Sequence, residues 1–225
     1  MPNAAQIIIA IDGPSGTGKS TTAKLIAKEL GYTYLDTGAM YRAVAWVAES
    51  MGTWSVGHNI SFNEKNQILI NGANRESEIR DPKISAVVSK YSALPEVREF
   101  LTKKQREIGS MQPCVLDGRD IGTVVFPNAK HKFFLTADYK TRAARRLLEL
   151  QNSGKAEGET LESVEKNLRE RDAADTNRSI APLAKAKDAI EIDTSHLTIQ
   201  QQVQKILQSV GEVARCEVSE HNPKG

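Results

Sequence analysis

Eight consecutive residues near the start of the chain, Gly13-Pro14-Ser15-Gly16-Thr17-Gly18-Lys19-Ser20, fit G-x-x-x-x-G-K-[ST] at every defined position. Glycines let backbone N–H groups converge on an anion, and a helix beginning at Lys19 adds partial positive charge at the same point. Lys19 places a full charge on the β- and γ-phosphates of a nucleoside triphosphate, and the Ser20 hydroxyl suits the shell of a Mg²⁺ ion. The expected contact set for the triphosphate is Gly13 to Ser20 with Thr21 in the following turn. A dinucleotide-binding loop would need G-x-G-x-x-G, and Thr21 stands where its third glycine should be. The guanine signature N-K-x-D is absent from the sequence. The loop alone leaves motor ATPases, transporters, GTPases and small-molecule kinases open.

Three further clusters carry charge suited to a second, phosphorylated ligand. Asp36-Thr37-Gly38-Ala39-Met40-Tyr41-Arg42 and Asp117-Gly118-Arg119-Asp120 each close a predicted strand, at the edge where open parallel sheets bind ligands. Arg171, Asp175 and Arg178 fall at i, i+4 and i+7 of a predicted helix and share one face. That spacing is equally the spacing of a solvated salt-bridge face. Guanidinium forks match phosphate oxygens and stay charged when desolvated, which favours Arg42, Arg119 and Arg178 as phosphate ligands. Asp117 ends its strand where a Mg²⁺-water ligand is expected, although a plain turn residue would also fit there. Arg142 and Arg146 can reach ATP from their helix, and an exposed amphipathic face explains them as well. His58, His131, His196 and His221 match no ligand spacing.

The elements that must hold these residues alternate between strand and helix. Residues 6–12 form a continuous apolar run of the kind buried on both faces of a parallel sheet. A helix follows from Lys19 to Leu30, with Gly31 as its stop. Tyr32–Leu35 is a short strand and Met40–Met51 a helix. Residues 52–81 are richer in Gly, Asn and polar side chains and contain one alternating stretch, 67–72, that predicts a small hairpin. Asp81-Pro82 and Leu94-Pro95 both predict helix starts with proline at the first position. Val115–Asp117, His131–Thr136 and Ala189–Asp193 read as further strands. Asp138 and Thr160 open two helices joined by the polar loop Lys155–Glu159, and Ile199–Val210 forms a closing amphipathic helix followed by a frayed tail from Cys216. The pattern predicts an α/β fold with a parallel central sheet between helices.

Composition narrows the class. With 225 residues, of which 40% are hydrophobic, the chain can bury a core without metals or disulfides. Thirty basic against 28 acidic residues leave a net charge of +2, too little for a general nucleic-acid or membrane-surface binder. The two cysteines, Cys114 and Cys216, form no C-x-x-C pair, so a reducing, cytoplasmic setting is expected. The apolar run 7–11 is too short to span a bilayer.

Taken together, IDGPSGTGKST, LDTGAMYRA, LDGRDIGTVVFP and RDAADTNRSIAPL resemble the bacterial cytidylate kinases, in order, over about residues 7–210. The resemblance implies an adenylate-kinase-like P-loop fold in three layers, with an inserted nucleoside-monophosphate-binding domain and a lid. It implies a core at 6–38, 94–150 and 179–213, an insert at 39–93, a lid at 151–178, and flexible termini at 1–5 and 214–225. The implied reaction moves a phosphoryl group from ATP, with Mg²⁺, to CMP or dCMP in a monomer that binds neither nucleic acid nor membrane. Carried over by position, Thr37 and Arg42 hold the acceptor's ribose and phosphate, and Ser89, Arg98 and Asp120 face cytosine. Arg119 and Arg178 bind phosphate and are implied to be catalytic with Lys19, while Arg171 and Asp175 lie on the lid side near the ribose. A kinase for another nucleoside monophosphate or small metabolite is the alternative enzyme, and a slowly hydrolysing nucleotide switch the alternative class. Asp120, Arg98 and the Asp117-Gly118-Arg119-Asp120 cluster argue against the other kinase: a carboxylate accepts from the cytosine amino group, whereas uracil would present it with an acceptor and leave it unpaired. The absent guanine signature and the lack of any large hydrophobic or basic interaction tail in the sequence weigh against the switch.

Overall fold

The computed structural model describes residues 7–55 and 57–220, with side chains as far as Gly211. Its centre is β1 (Ile8–Asp12), whose five residues are all buried. Side chains alternate across a strand, and the clusters follow that period. Ile8 and Ala10 join one apolar cluster, while Ile9 and Ile11 join another on the opposite face. Five strands lie parallel in the order β2 (Thr33–Asp36), β6 (Cys114–Gly118), β1, β7 (His131–Thr136) and β8 (Ile190–Asp193). The predicted α/β class with a parallel central sheet is thus observed.

Helices cover both faces. The helix α1 (Lys19–Leu30) and the closing helix α8 (Ile199–Glu220) pack Ala23, Ile26, Val203 and Ile206 against one of them. The other receives α2 (Thr37–Met51) and α5 (Pro95–Met111) through Met40, Val44, Val97 and Leu101. Between those two helices lies the polar segment, which folds as an antiparallel sheet of β3 (Ile60–Phe62), β4 (Ile68–Ile70) and β5 (Ala73–Asn74). The expected hairpin is its β4–β5 pair. Asn71 (φ 51°) and Gly72 (φ 80°) make the left-handed two-residue turn that Asn-Gly favours. A short helix α3 (Glu76–Ile79) leads into α4 (Pro82–Ser92), which Asp81 caps through the N–H of Lys83.

A helical hairpin of α6 (Tyr139–Asn152) and α7 (Leu161–Asn177) has its own small core of Ala143, Leu150, Val164 and Leu168. Asp138 and Thr160 cap the two helices as expected.

Three local expectations are revised, and one turn is new. Helix α2 begins at Thr37, not Met40, because the Asp36 carboxylate accepts the N–H of Ala39 and starts the helix at the strand's end. Arg178 is the first residue beyond α7, in extended conformation, so the three-residue face is helical only through Asp175. Residues Ile121–Val125 form a π-turn that no sequence pattern indicated. Helix α8 runs to Glu220, past the expected frayed start, since no proline interrupts the chain between Gly211 and Glu220. Of the expected flexible termini, 1–5 and 214–225, residues 1–5 and 221–225 lie outside the described residues.

Candidate active site

The sheet register aligns three aspartates. Asp36 pairs with Asp117, and Asp12 pairs with Gly118, so the ends of β2, β6 and β1 meet along one edge. All three side chains are buried, and each accepts bonds from a different element.

Beyond Asp12 the chain turns through the glycine-rich loop into α1. Gly13 sits at φ 144°, where an added Cβ would lie 2.1 Å from the carbonyl oxygen of Leu135, so only glycine fits. Thr17 Oγ1 and Lys19 Nζ both donate to the carbonyl of Pro14, at 3.1 and 2.6 Å. From below, Thr194 Oγ1 donates to the carbonyl of Thr17 at 3.0 Å and Thr22 Oγ1 to Gln202 Oε1 at 2.8 Å. The loop and the start of α1 are therefore held by Thr194, just beyond β8, and by Gln202 of α8.

Asp117 joins this loop to the acceptor side. Ser20 Oγ donates to its Oδ2 at 2.6 Å, Tyr34 Oη to its Oδ1 at 2.8 Å, and Thr37 Oγ1 to its carbonyl at 2.7 Å. A hydroxyl and a carboxylate meeting at the phosphate loop form the all-oxygen donor set that Mg²⁺ takes together with nucleotide phosphates. Asp36, beside it, receives Arg42 at 3.2 Å and Arg80 at 2.6 Å. Burial pushes its carboxyl up, but the two guanidinium groups outweigh that and hold it below the usual range.

Just beyond Asp117, the chain leaving β6 carries Arg119 and Asp120. Arg119 donates to Asp175 at 2.9 Å and to Ser15 Oγ at 2.6 Å, linking the loop to α7. Asp120 is bonded to Arg98 and lies 3.6 Å from Arg178, whose other nitrogen is 3.8 Å from Asp175. Burial, then the neighbouring Arg119, lower Lys19 to about 7 and Arg171 to about 10. Cations crowded in this way favour an incoming anion, which relieves their mutual repulsion.

These residues surround one cavity of about 470 Å³. Its wall includes Ser15, Gly16, Gly18, Lys19, Ser20 and Thr21 on the loop side. Opposite stand Thr37, Arg42, Ser89, Asp117, Arg119, Asp120, Arg146, Arg171, Asp175 and Arg178. Five expected ligands, Gly13, Pro14, Thr17, Arg98 and Arg142, are not part of that wall, and the two arginines sit behind it. Arg98 is 4% exposed and donates to the carbonyl of Ser92 as well as to Asp120. Arg142 is 2% exposed, bonded to the carbonyl of Ser15 at 2.9 Å and to Asp172 at 2.7 Å, so it ties the loop to α7.

Sequence reasoning missed Arg80, Tyr34 and Lys155. Arg80 reaches the cavity from the insert, and Lys155, in the loop between α6 and α7, donates to its carbonyl at 3.3 Å. The one available signal was the position of Arg80 directly before the Asp81-Pro82 helix start.

A family model described as Cytidylate kinase matches residues 9–212. A cytidylate kinase of Fervidobacterium nodosum is 49% identical, with 93% of this chain and 98% of that protein covered. One from Clostridium botulinum (strain Langeland) is 48% identical over 89% of this chain and 95% of its own length. Among solved structures, an uncharacterized protein from Eubacterium ventriosum superposes with a TM-score of 0.53 at 13% identity, covering 92% of this chain and 99% of that one, a likeness of fold alone. The family match runs from β1 into α8 and so spans the loop, the three strand-end aspartates and the helical hairpin alike; the chain belongs to the cytidylate kinase family.

Proposed function

We infer that the chain catalyses ATP- and Mg²⁺-dependent phosphorylation of CMP and dCMP to the diphosphates, a step of pyrimidine nucleotide metabolism. An oxygen of the acceptor's phosphate attacks the γ-phosphorus of ATP in line, the bond to the β-phosphate oxygen breaks, and ADP leaves. The observation that carries this reading is the cavity in which the phosphate loop faces Arg42, Arg119, Arg171 and Arg178.

In this reading, residues Gly13 to Thr21 cradle the triphosphate, with Lys19 as its point charge and Arg146 reaching it from α6. Arg142 acts from behind by fixing the carbonyl of Ser15. Ser20 and Asp117 would hold Mg²⁺, which when bound neutralises charge on the β- and γ-phosphates. Arg42 holds the acceptor phosphate with Thr37 beside it. Arg80, already paired with the same aspartate as Arg42, is a second insert-side cation for it. Arg119 and Arg178 stabilise the transferring group, and Arg171 and Asp175 lie against the ribose. Ser89, Asp120 and Arg98 read cytosine, with Arg98 orienting the Asp120 carboxylate from behind.

Residues 151–178 act as the lid, and closure keeps water from the γ-phosphate. The Lys155 to Arg80 bond supports this, since it joins lid and insert across the cavity mouth. One chain supplies every group named, which supports a monomer. No helix among the described residues is long and apolar enough to cross a membrane.

The test uses ATP labelled at the γ-phosphate. With CMP present, label is expected in CDP and not in inorganic phosphate. Label released as inorganic phosphate regardless of CMP would identify a hydrolysing switch instead.

A further inference from the structure

Of the three aligned aspartates, Asp12 differs in that its hydrogen bonds go to neither the loop nor an arginine. Its Oδ1 accepts the N–H of Ile121 at 2.9 Å and its Oδ2 the N–H of Gly122 at 2.7 Å. Those are the first two donors of the π-turn that follows Asp120. The approach is close: an added Cβ on Gly122 would lie 3.4 Å from the Asp12 carboxylate and 3.2 Å from the Lys132 side chain.

At the far end of the turn, Arg106 donates from Nε to the carbonyl of Val125 at 2.9 Å and from Nη2 to that of Val124 at 2.8 Å. Both ends of a turn that pairs residues five apart are therefore held by charged side chains from other elements. Inside it, the Asp120 carbonyl accepts the N–H groups of Val124 and Val125 at 2.9 and 3.1 Å. The backbone of Asp120 is thus fixed by its own carbonyl and by the two N–H groups that follow it. Arg106 also lies on α5, the helix that carries Arg98. The contact between Arg98 and Asp120 is consequently set twice, by the direct ion pair and by the turn that Arg106 grips.

We propose that Asp12 and Arg106 are positioning residues for base selection, clamping the two ends of the π-turn so that the Asp120 carboxylate meets the base at a fixed place. Asp12 directly precedes the phosphate loop, so the strand that presents ATP also aligns the residue that reads the acceptor. The proposal rests on the assignment of Asp120 to cytosine.

The test compares Asp12→Asn and Arg106→Ala with the parent enzyme, measuring KM for CMP and ATP and kcat/KM for CMP against UMP. Asparagine keeps one acceptor and turns an amide donor toward a backbone N–H, so one contact becomes repulsive. Expected for Asp12→Asn is a roughly tenfold rise in KM for CMP and a roughly tenfold loss of CMP-over-UMP preference, with KM for ATP within about twofold, the split that marks an acceptor-side effect. Arg106→Ala, exposed and distant from the loop, should move the same quantities by about threefold, and it supplies the readout if Asp12→Asn does not fold. A merely structural role would lower the folded fraction and leave both KM values and the base preference unchanged, which would overturn the proposal. A change confined to KM for ATP would also overturn it. Asp120→Asn measured alongside separates the two layers. If Asp120→Asn relaxes base preference while both clamp variants keep it, the clamp alone is wrong; if Asp120→Asn keeps it, the cytosine assignment beneath it is wrong.

Discussion

Replacing Arg119 by alanine removes the guanidinium that joins the phosphate loop to α7. In the parent its two bonds run to Asp175 at 2.9 Å and to Ser15 Oγ at 2.6 Å. Without them Asp175, 5% exposed, keeps the longer contact to Arg178 at 3.8 Å as its remaining ion pair. Removing one partner of a buried pair costs about 3–5 kcal/mol. Because Arg119 is 18% exposed, the lower end of that range, about 3 kcal/mol, is expected in urea unfolding at pH 7. Turnover reads a separate loss. Removing one preorganised donor from a developing charge lowers kcat by about 10²–10³, which is expected at saturating Mg·ATP and CMP. Arg119→Lys keeps the charge, but an ammonium cannot bridge Ser15 and Asp175 as a planar fork does, so a roughly tenfold deficit, about 1.4 kcal/mol, should remain. Hydrogen exchange over residues 161–178 should quicken in Arg119→Ala, since α7 loses its tie to the loop. A folded Arg119→Ala enzyme with kcat within about threefold of the parent would refute the assignment of Arg119 to the transferring group.

Lys19→Ala should lower kcat by about 10² or more because it removes the charge directed at the phosphates, and near-normal turnover would overturn the loop assignment. Asp120→Ala should reduce the preference for CMP over UMP by about 1–3 kcal/mol while leaving KM for ATP little changed; an unchanged preference would move base reading to other residues. Asp36→Asn should destabilise the fold by about 2–3 kcal/mol at pH 7, below the usual range for buried pairs because Arg80 is 44% exposed. The folded-state pKa of Asp36 lies below its ordinary 3.8, so this contribution is full above that value and is lost as pH falls through the folded one. Denaturation of parent and variant should therefore converge in acid, and a constant difference down to about pH 2 would contradict the pairing.

What the sequence disclosed depended on how local the cause was. The phosphate loop is contiguous, and its glycines and lysine do their work within one turn, so both motif and conformation were legible. Asp81, Asp138 and Thr160 marked helix starts because each cap bonds an N–H two or three residues ahead. The π-turn was not legible: Ile-Gly-Thr-Val-Val is apolar enough for a strand, and its shape depends on Asp12, 109 and 110 residues away. Arg80 was missed because its partner Asp36 is 44 residues distant and the pattern of residues 52–81 indicated only a small hairpin. Arg142 and Arg146 share a helix and a spacing, yet one is sealed behind the loop while the other faces the cavity. That difference arises from where α7 packs, which periodicity does not encode.

In the proposed function, one cavity joins an ATP loop to a wall that selects cytosine. The most direct measurement is coupled ADP formation from Mg·ATP with CMP, dCMP, UMP, AMP or no acceptor. Strong turnover with CMP and dCMP, weak turnover with UMP and AMP, and none without acceptor are predicted. Equal turnover with UMP or AMP, or ADP formed with no acceptor, would contradict the claim.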